Sequence, residues 1–405
     1  MRRRAMTLAI ALLILGPVAQ ADTWTVDPGG GGDFTTIQAA INGAGGGDTI
    51  NVLAGTYNER LNVNKSLTLL GAQTGANPNA PGARTTPALE SIVTEAGLST
   101  PNPDVLVEIP SGVTNVIIDG FTLLGDPTNP TADTSTIRCW DDDLTISNNI
   151  VEGKYAVLYK GNDNLTVDQN RFTINKLGVT VQPSEATNVA VTGNTFALGS
   201  SPATDAQAVY ITGVTGADLL NNRADGFYGG FKGSNLTDVE VRGNTLTNCR
   251  DGVSFWGTTT LVDISKNNID GSTRYGVSIK GQDITIDCNR IANSGDCGVN
   301  IDKHVLDTEN VSLQGNNISG SANYGVYVSS AVTDLVDGEN NWWGDATGPY
   351  HSTNLTGQGD DVSDGVDFNP WLSAPSPCAP PVSEPAGVGL VGLGLVGLVR
   401  RKRRS

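Results

Sequence analysis

One short phrase recurs down the middle of this 405-residue chain: Asn-x-apolar, a turn, then Gly-Val-x-apolar. The asparagines of the phrase read as Asn148, Asn170, Asn194, Asn222, Asn244, Asn267, Asn289, Asn316 and Asn340, spaced by 22, 24, 28, 22, 23, 22, 27 and 24 residues. Asp119-Gly120-Phe121 looks like an earlier copy. A fixed period in this range means a solenoid of stacked coils. Each copy holds short alternating runs, such as Val239-Glu240-Val241, Ile284-Thr285-Ile286 and Val311-Ser312-Leu313. Alternation puts one face in and one face out, which is strand chemistry. No single coil buries its inner face, so the stack must do it. The asparagines are read as structural. At each turn one Asn can sit above the next and hydrogen-bond along the axis, and Asn tolerates the left-handed turn backbone. The expected fold is therefore all-β: a right-handed, single-stranded parallel β-helix of about ten coils.

Open coils expose strand edges, so the ends need caps. Residues 33–44 carry apolar side chains at 34, 37, 40, 41 and 44, which predicts a short amphipathic capping helix. Residues 73–103, rich in Pro, Ala, Thr and Asn, read as a long loop excursion. Gly is 50 of 405 residues, about 12% against an ordinary ~7%, in keeping with many turns.

The two ends read as addresses. Met1-Arg2-Arg3-Arg4, an apolar stretch to Leu15 and Val18-Ala19-Gln20-Ala21 form a secretory signal peptide over 1–21. The coils and their closing segment (344–372) then fill 22–372, and a Pro-rich linker spans 373–382. At 383–405, Ser383-Glu384-Pro385 precedes about 14 apolar residues and a basic cluster at 400–404. This layout resembles PEP-CTERM sorting tails, with Ser383 in place of the usual first Pro. The resemblance implies membrane sorting machinery as a partner; the alternative is a short permanent anchor. A secreted, cell-surface or outer-envelope protein is expected, and a monomer.

Net charge is −17. Without the two ends, 25 − 8 = 17 basic residues face 42 − 1 = 41 acidic ones, or about −24. Such a chain is a poor nucleic-acid binder, because phosphate contacts need basic patches. Of the five cysteines, Cys288 and Cys297 lie close enough in sequence for a disulfide in an exported protein. The alternative is that Cys fills small buried positions. No CxxC spacing supports a zinc site.

The segment DFTTIQAAINGAGGGDTINVLAGTYNERL (Asp33 to Leu61) resembles the start of pectin-lyase-like β-helix proteins, and NNWWGDATGPY…GDDVSDGVDFNPWL (Asn340 to Leu372) the closing segment of many right-handed β-helix proteins. The resemblance covers roughly 24–372 and implies fold far more than reaction. The methylesterase, polygalacturonase and alginate-epimerase motifs of that superfamily are missing. Gly295-Asp296-Cys297-Gly298 echoes one of them, but it fills the repeat slot also held by Arg250-Asp251-Gly252. Asp302-Lys303-His304 is not the epimerase motif.

Stacking the Gly-Val strands coil on coil gives a candidate surface. Val and the second apolar residue point in, and the flanking positions point out. The outward columns then carry Lys160, Tyr210, Lys232, Trp256, Lys280, Asp302 and Tyr327, with Lys154, Lys176, Arg250 and Arg274 just ahead of the strand. The coil at Tyr228-Gly229-Gly230-Phe231-Lys232 reads as one residue shorter than the others. With Lys303, eight basic residues share one strip. Aromatics and cations on one elongated face suit a sugar polymer, with Lys or Arg pairing with uronate carboxylates; the alternative is an ordinary solvated face.

Two functions compete. The first is a non-catalytic surface protein that binds polysaccharide, with Lys160, Tyr210, Trp256, Arg274 and Tyr327 as contacts. The second is a lyase acting on a uronate polymer. A lyase needs a base for the proton α to the carboxylate and a cation for the enolate. Lys232, Lys280 or Arg250 would serve, with Asp251 or Asp302 as partner or Ca²⁺ ligand. Further carboxylates at Asp141-Asp142-Asp143 and at Asp360, Asp361, Asp364 and Asp367 can hold Ca²⁺ or simply form solvated turns, and no EF-hand loop is present. His304 and His351 are too far apart in sequence to pair on a metal.

Overall fold

A computed structural model describes residues 21–96, 98, 105–126, 135–183, 185–303 and 308–381. The segment expected as a signal peptide, up to residue 20, His304 and the segment expected as a sorting tail, 383–405, lie outside the described residues. All named strand pairings are parallel, and the chain winds through about twelve turns. Ten was too few because the repeat phrase marks only the coils with a turn asparagine. The early strands Thr23–Val26, Thr49–Val52 and Thr68–Leu70 belong to the same stack without one.

Each coil contributes a strand to three faces. The first runs from Thr23–Val26 through Leu144–Ser147 and Asp163–Asp168 to Val366–Asp367. The second runs from Gly55–Asn58 through Phe121–Leu124 to Asn317–Ser319. The third holds the Gly-Val strands, from Val105–Ile109 and Ser135–Cys139 to Tyr324–Val328. Val157, Val179, Val209, Phe231, Val253, Val277, Val299 and Val326 stack in register inside it, all fully buried. One continuous apolar core fills the tube.

The turn between the first and second faces explains the asparagines. Asn149, Asn170, Asn194, Asn222, Asn244, Asn267, Asn289, Asn316 and Asn341 are all buried. The backbone N–H of each donates to the Oδ1 of the next, and each Nδ2 reaches back to a strand carbonyl, as Asn170 does to Ile146 at 2.9 Å. The left-handed backbone belongs to the preceding residue: Asn148 (φ 53°), Lys266 (φ 55°), Cys288 (φ 56°) and Asn340 (φ 56°). Ladder and turn are thus divided between neighbours, and at two sites the ladder residue is Asn149 instead of Asn148 and Asn341 instead of Asn340.

The N-terminal cap is the helix Ile37–Gly43, which buries Ile37, Ala40 and Ile41 on the first coil. Glu59 accepts from the N–H groups of Ile37 and Gln38, and Lys65 Nζ donates to the carbonyls of Ile41, Asn42 and Ala44. A carboxylate at the helix N-terminus and an ammonium at its C-terminus complement the dipole. The excursion expected over 73–103 is not all loop. Ser91–Thr94 is a strand of the second face, paired with Gly55–Asn58 and Phe121–Leu124. The loop before it is pinned by a buried Arg84–Glu90 ion pair.

The expected Cys288–Cys297 disulfide does not form. Cys288 bonds Cys378, and Cys297 is a buried free thiol. Nine residues carry the chain from the Asn turn at Cys288 to the third face, whereas Cys378 returns to the Asn turn beside Gly315. The segment expected as a linker therefore docks on the solenoid. Ser376 is buried and exchanges hydrogen bonds with the Asn317 side chain.

Candidate functional site

The third face places three outward columns side by side. One holds Tyr155, Leu177, Gln207, Gly229, Asp251, Tyr275, Cys297 and Tyr324. The next holds Arg138, Leu158, Thr180, Tyr210, Lys232, Ser254, Ser278, Asn300 and Tyr327. Beyond the inward residue that follows lie Lys160, Trp256, Lys280 and Asp302. Tyr228 is not the first residue of its strand: Gly229 pairs with Gln207 and Asp251, so this coil keeps the common register and Tyr228 precedes it, like Arg250 and Arg274.

A cavity of about 540 Å³ opens on this face. It brings together all five residues proposed for chemistry, Lys232, Arg250, Asp251, Lys280 and Asp302, and three proposed for binding, Trp256, Arg274 and Tyr327. Lys160 and Tyr210 lie elsewhere, in a second concavity of about 440 Å³ nearer the N-terminus of the same face. A third, at the C-terminal end, shares Tyr327 and Ser329 with the first and includes Tyr350 and His351.

Within the central cavity the charges are arranged in pairs. Lys280 Nζ lies 3.0 Å from Asp302 Oδ2. Burial alone raises the Asp302 carboxyl, but hydrogen bonds from Lys280, the Lys303 N–H and Ser329, with the Lys280 charge, hold it below the ordinary range. Arg250 meets Asp251 Oδ2 at 2.7 Å. Asp251 is nonetheless pushed up, because burial outweighs the nearby Arg250, Arg274 and Lys232 charges. Its other oxygen, Oδ1, is buried without a hydrogen-bond partner among the described residues.

Lys232 is pushed down, first by burial and then by the Arg250 and Arg274 charges, with Asp251 opposing. Its ammonium sits between rings, 5.0 Å from Tyr228 and 5.4 Å from Trp256. Arg250 stacks on Tyr228 at 4.5 Å and Arg274 on Tyr275 at 4.2 Å. A desolvated lysine and a desolvated carboxyl, both shifted towards neutrality, thus face a cavity ringed by aromatic and guanidinium planes.

Sequence reasoning missed Tyr228 through the register error. It also missed Arg138 and Trp140, whose coil lacks the Gly-Val phrase; the alternation Thr136-Ile137-Arg138-Cys139-Trp140 carries the signal. The polar floor of Ser254, Ser278 and Asn300 went unremarked because the phrase leaves that position open.

The acidic clusters make hydrogen bonds within the stack. Asp141, Asp142 and Asp143 accept hydrogen bonds from Gly112, from Asn162 and Asp163, and from Asn164. Asp360 caps the last coil through Gly320 and Ser321. Among the described residues, no group of three or more His, Cys, Asp or Glu could hold a metal ion.

Two family models match parts of the chain. "Right handed beta helix region" matches 135–255, and "Periplasmic copper-binding protein (NosD)" matches 200–341. The fold is a right-handed parallel β-helix. The A-module of the Azotobacter vinelandii mannuronan C-5 epimerase AlgE4 shares it, with TM-score 0.55 and 21% identity over 76% of this chain and 90% of that one. An α-1,3-glucanase catalytic unit from Streptomyces thermodiastaticus gives 0.49 and 16% over 88% and 70%. PfbA, a surface adhesin of Streptococcus pneumoniae, gives 0.37 and 15% over 75% and 82%. No curated protein matches the chain in sequence.

Among the described residues, none fits a copper site. The three free cysteines are separately buried, and burial pushes each thiol up to about 12. His351 is held by Thr353 and Asp364.

Proposed function

We propose that the third face is a binding groove for an anionic, uronate-containing polysaccharide on an exported protein. One observation carries the reading. In a chain of net charge −17, four cations (Lys232, Arg250, Arg274, Lys280) converge with Tyr228, Trp256 and Tyr275 on a cavity holding only two carboxylates. Rings offer faces to sugar C–H groups, and guanidinium planes offer forks to carboxylates. Export is supported by the leader at 1–21, by the Cys288–Cys378 disulfide, which suits an oxidising compartment, and by the periplasmic family that matches 200–341. Retention at the cell surface through 383–405 belongs to the same reading.

The test is binding of the mature protein to polygalacturonate, alginate and a neutral glucan. Uronate polymers should bind and the glucan should not. Lys232→Met or Arg274→Ala should each weaken binding roughly 10- to 100-fold, the range for a hydrogen bond to a charged group. Equal affinity for the neutral glucan refutes the reading.

A lyase is the second reading, favoured by the shifts of Lys232 and Asp251 towards neutrality. Neutral Lys232 would take the proton α to the uronate carboxylate. The electron pair left behind would form the C=C bond and expel the β-oxygen, which would take a proton from the Asp251 carboxyl. Ultraviolet absorbance of unsaturated products reports this directly. Binding without product on any uronate polymer rules it out.

A further inference from the structure

We infer that the concavity around Thr180 and Gln207 is a second saccharide subsite, which sets a minimum length for the ligand. The inference rests on the groove reading above and adds where along the groove the polymer is held.

The observation is a pair of unsatisfied polar atoms. Thr180 Oγ1 and Gln207 Oε1 are buried and have no hydrogen-bond partner among the described residues. Thr180 retains 1% of its exposure. Each such orphan destabilises a folded chain. Both sit on outward columns of the third face, where an apolar residue is tolerated: Leu158 precedes Thr180 and Leu177 precedes Gln207. Both residues line the concavity of about 440 Å³, where a ligand hydroxyl would supply the missing partner. Gln207 Oε1 accepts and Thr180 Oγ1 donates or accepts, which is the complement of a sugar hydroxyl.

The surroundings fit the same chemistry. Lys160 reaches Gln182 at 3.2 Å, and Lys176 is 3.9 Å from the exposed Asp205, so both ammonium groups stay near the opening. Trp140 stands at the rim with 45% of its surface exposed. Cation, ring and unsatisfied hydrogen-bonding groups recur here as in the central cavity.

The solenoid then fixes the distance between the two. Thr180, Tyr210, Lys232, Ser254 and Ser278 follow one another in one column, and Lys232, Ser254 and Ser278 all line the central cavity. Two to four coil steps of about 4.8 Å take Thr180 to them, roughly 10 to 19 Å. A chain that advances by about one coil rise per sugar unit along this column therefore needs about three to five units to reach both sites. Shorter oligomers occupy one cavity at a time. Longer ones gain the second contact intramolecularly, which is worth up to 10²–10⁴ in affinity.

The test is calorimetric titration of the mature protein with size-fractionated oligogalacturonates or oligoalginates, from dimer to decamer. Affinity should step up by about 100-fold between the trimer and the pentamer. Thr180→Val, which keeps the shape, and Gln207→Leu should each lower the affinity of long oligomers towards that of short ones. Lys160→Ala, on the surface, provides the same readout without touching a buried group. A smooth rise without a step, or variants that keep the full step, overturns the second subsite while leaving the groove intact. No binding at any length overturns the groove reading itself.

Discussion

Asn244→Ala tests whether the buried ladder or the turn backbone is the reason for the repeating asparagine. Asn244 Oδ1 accepts from the Asn222 backbone N–H at 2.8 Å and from Asn222 Nδ2 at 3.2 Å. Its Nδ2 donates to the Leu219 carbonyl at 2.7 Å and to Asn267 Oδ1 at 2.9 Å. Alanine leaves Asn222 Nδ2 its bond to Val191, and leaves Asn267 Oδ1 the bond from the residue-244 backbone. It strands the Asn222 N–H and the side-chain bond to Leu219 in a site closed to water. Two orphaned groups at ~1–3 kcal/mol each give a loss of about 4 kcal/mol. The control is Asn148→Gly. Asn148 has φ 53° and a side chain bonded only to Asp119 among the described residues, so glycine relieves the backbone and costs a single part-exposed hydrogen bond. Its expected change is within about 1 kcal/mol. Urea unfolding followed by far-UV circular dichroism compares the two, with limited proteolysis to detect local opening of the stack. If Asn244→Ala costs less than about 1 kcal/mol, or no more than Asn148→Gly, the ladder argument fails.

Three other outcomes follow from the geometry. Cys378→Ser should free the 373–381 segment to proteases; the linked cysteines are 90 residues apart, so the entropic ceiling on the loss is about 4–5 kcal/mol. Unchanged cleavage there would show that the hydrogen bonds between Ser376 and Asn317 hold the segment alone. Asp251→Asn should stabilise the protein at neutral pH. The folded carboxyl binds its proton more tightly than the unfolded one, so the wild type loses stability as pH rises through the raised pKa, and the advantage of Asn should vanish below the ordinary carboxyl range near ~3.9. The same variant should strengthen uronate binding yet abolish any lyase activity, so unchanged affinity with full turnover would remove Asp251 from both readings. Gly229→Ala should keep the melting temperature but lower uronate affinity, because a Cβ there overlaps the Lys232 side chain; wild-type affinity would mean that Lys232 is not held by that floor.

The fold was legible because a solenoid writes its inward and outward pattern once per coil. Its finer register was not. In Asn148-Asn149-Ile150-Val151 and Asn340-Asn341-Trp342-Trp343, both asparagines precede an apolar residue by two, so spacing cannot choose. Packing chooses: Val151 pairs with Phe172, and Trp343 is fully buried. The disulfide was illegible for a related reason. Sequence proximity measures distance along the coil, whereas Cys288 and Cys378 meet across coils on one edge of the stack. For the site, the repeat gave the face and most of the cations. It could not say that Lys160 and Tyr210 fall in a different concavity from Lys232, because that depends on side-chain relief within one column.

That relief is concentrated where the repeat phrase breaks down. The coil at Gly229-Gly230 reads as shortened only if Tyr228 is forced into the first strand position. In the true register a glycine stands between Gln207 and Asp251, and the Lys232 chain lies over it so closely that any Cβ would collide. The missing side chain sinks the lysine between Tyr228 and Trp256, and the resulting burial is the first cause of its depressed pKa. One coil later, Asp251 keeps a buried oxygen without a partner among the described residues. A solenoid under selection for stacking alone would fill such a position with Thr, Val or another strand former. An outward glycine followed by a desolvated cation and a half-satisfied carboxylate lowers stability at one place in an otherwise regular stack. Such local costs are expected where a protein binds or reacts.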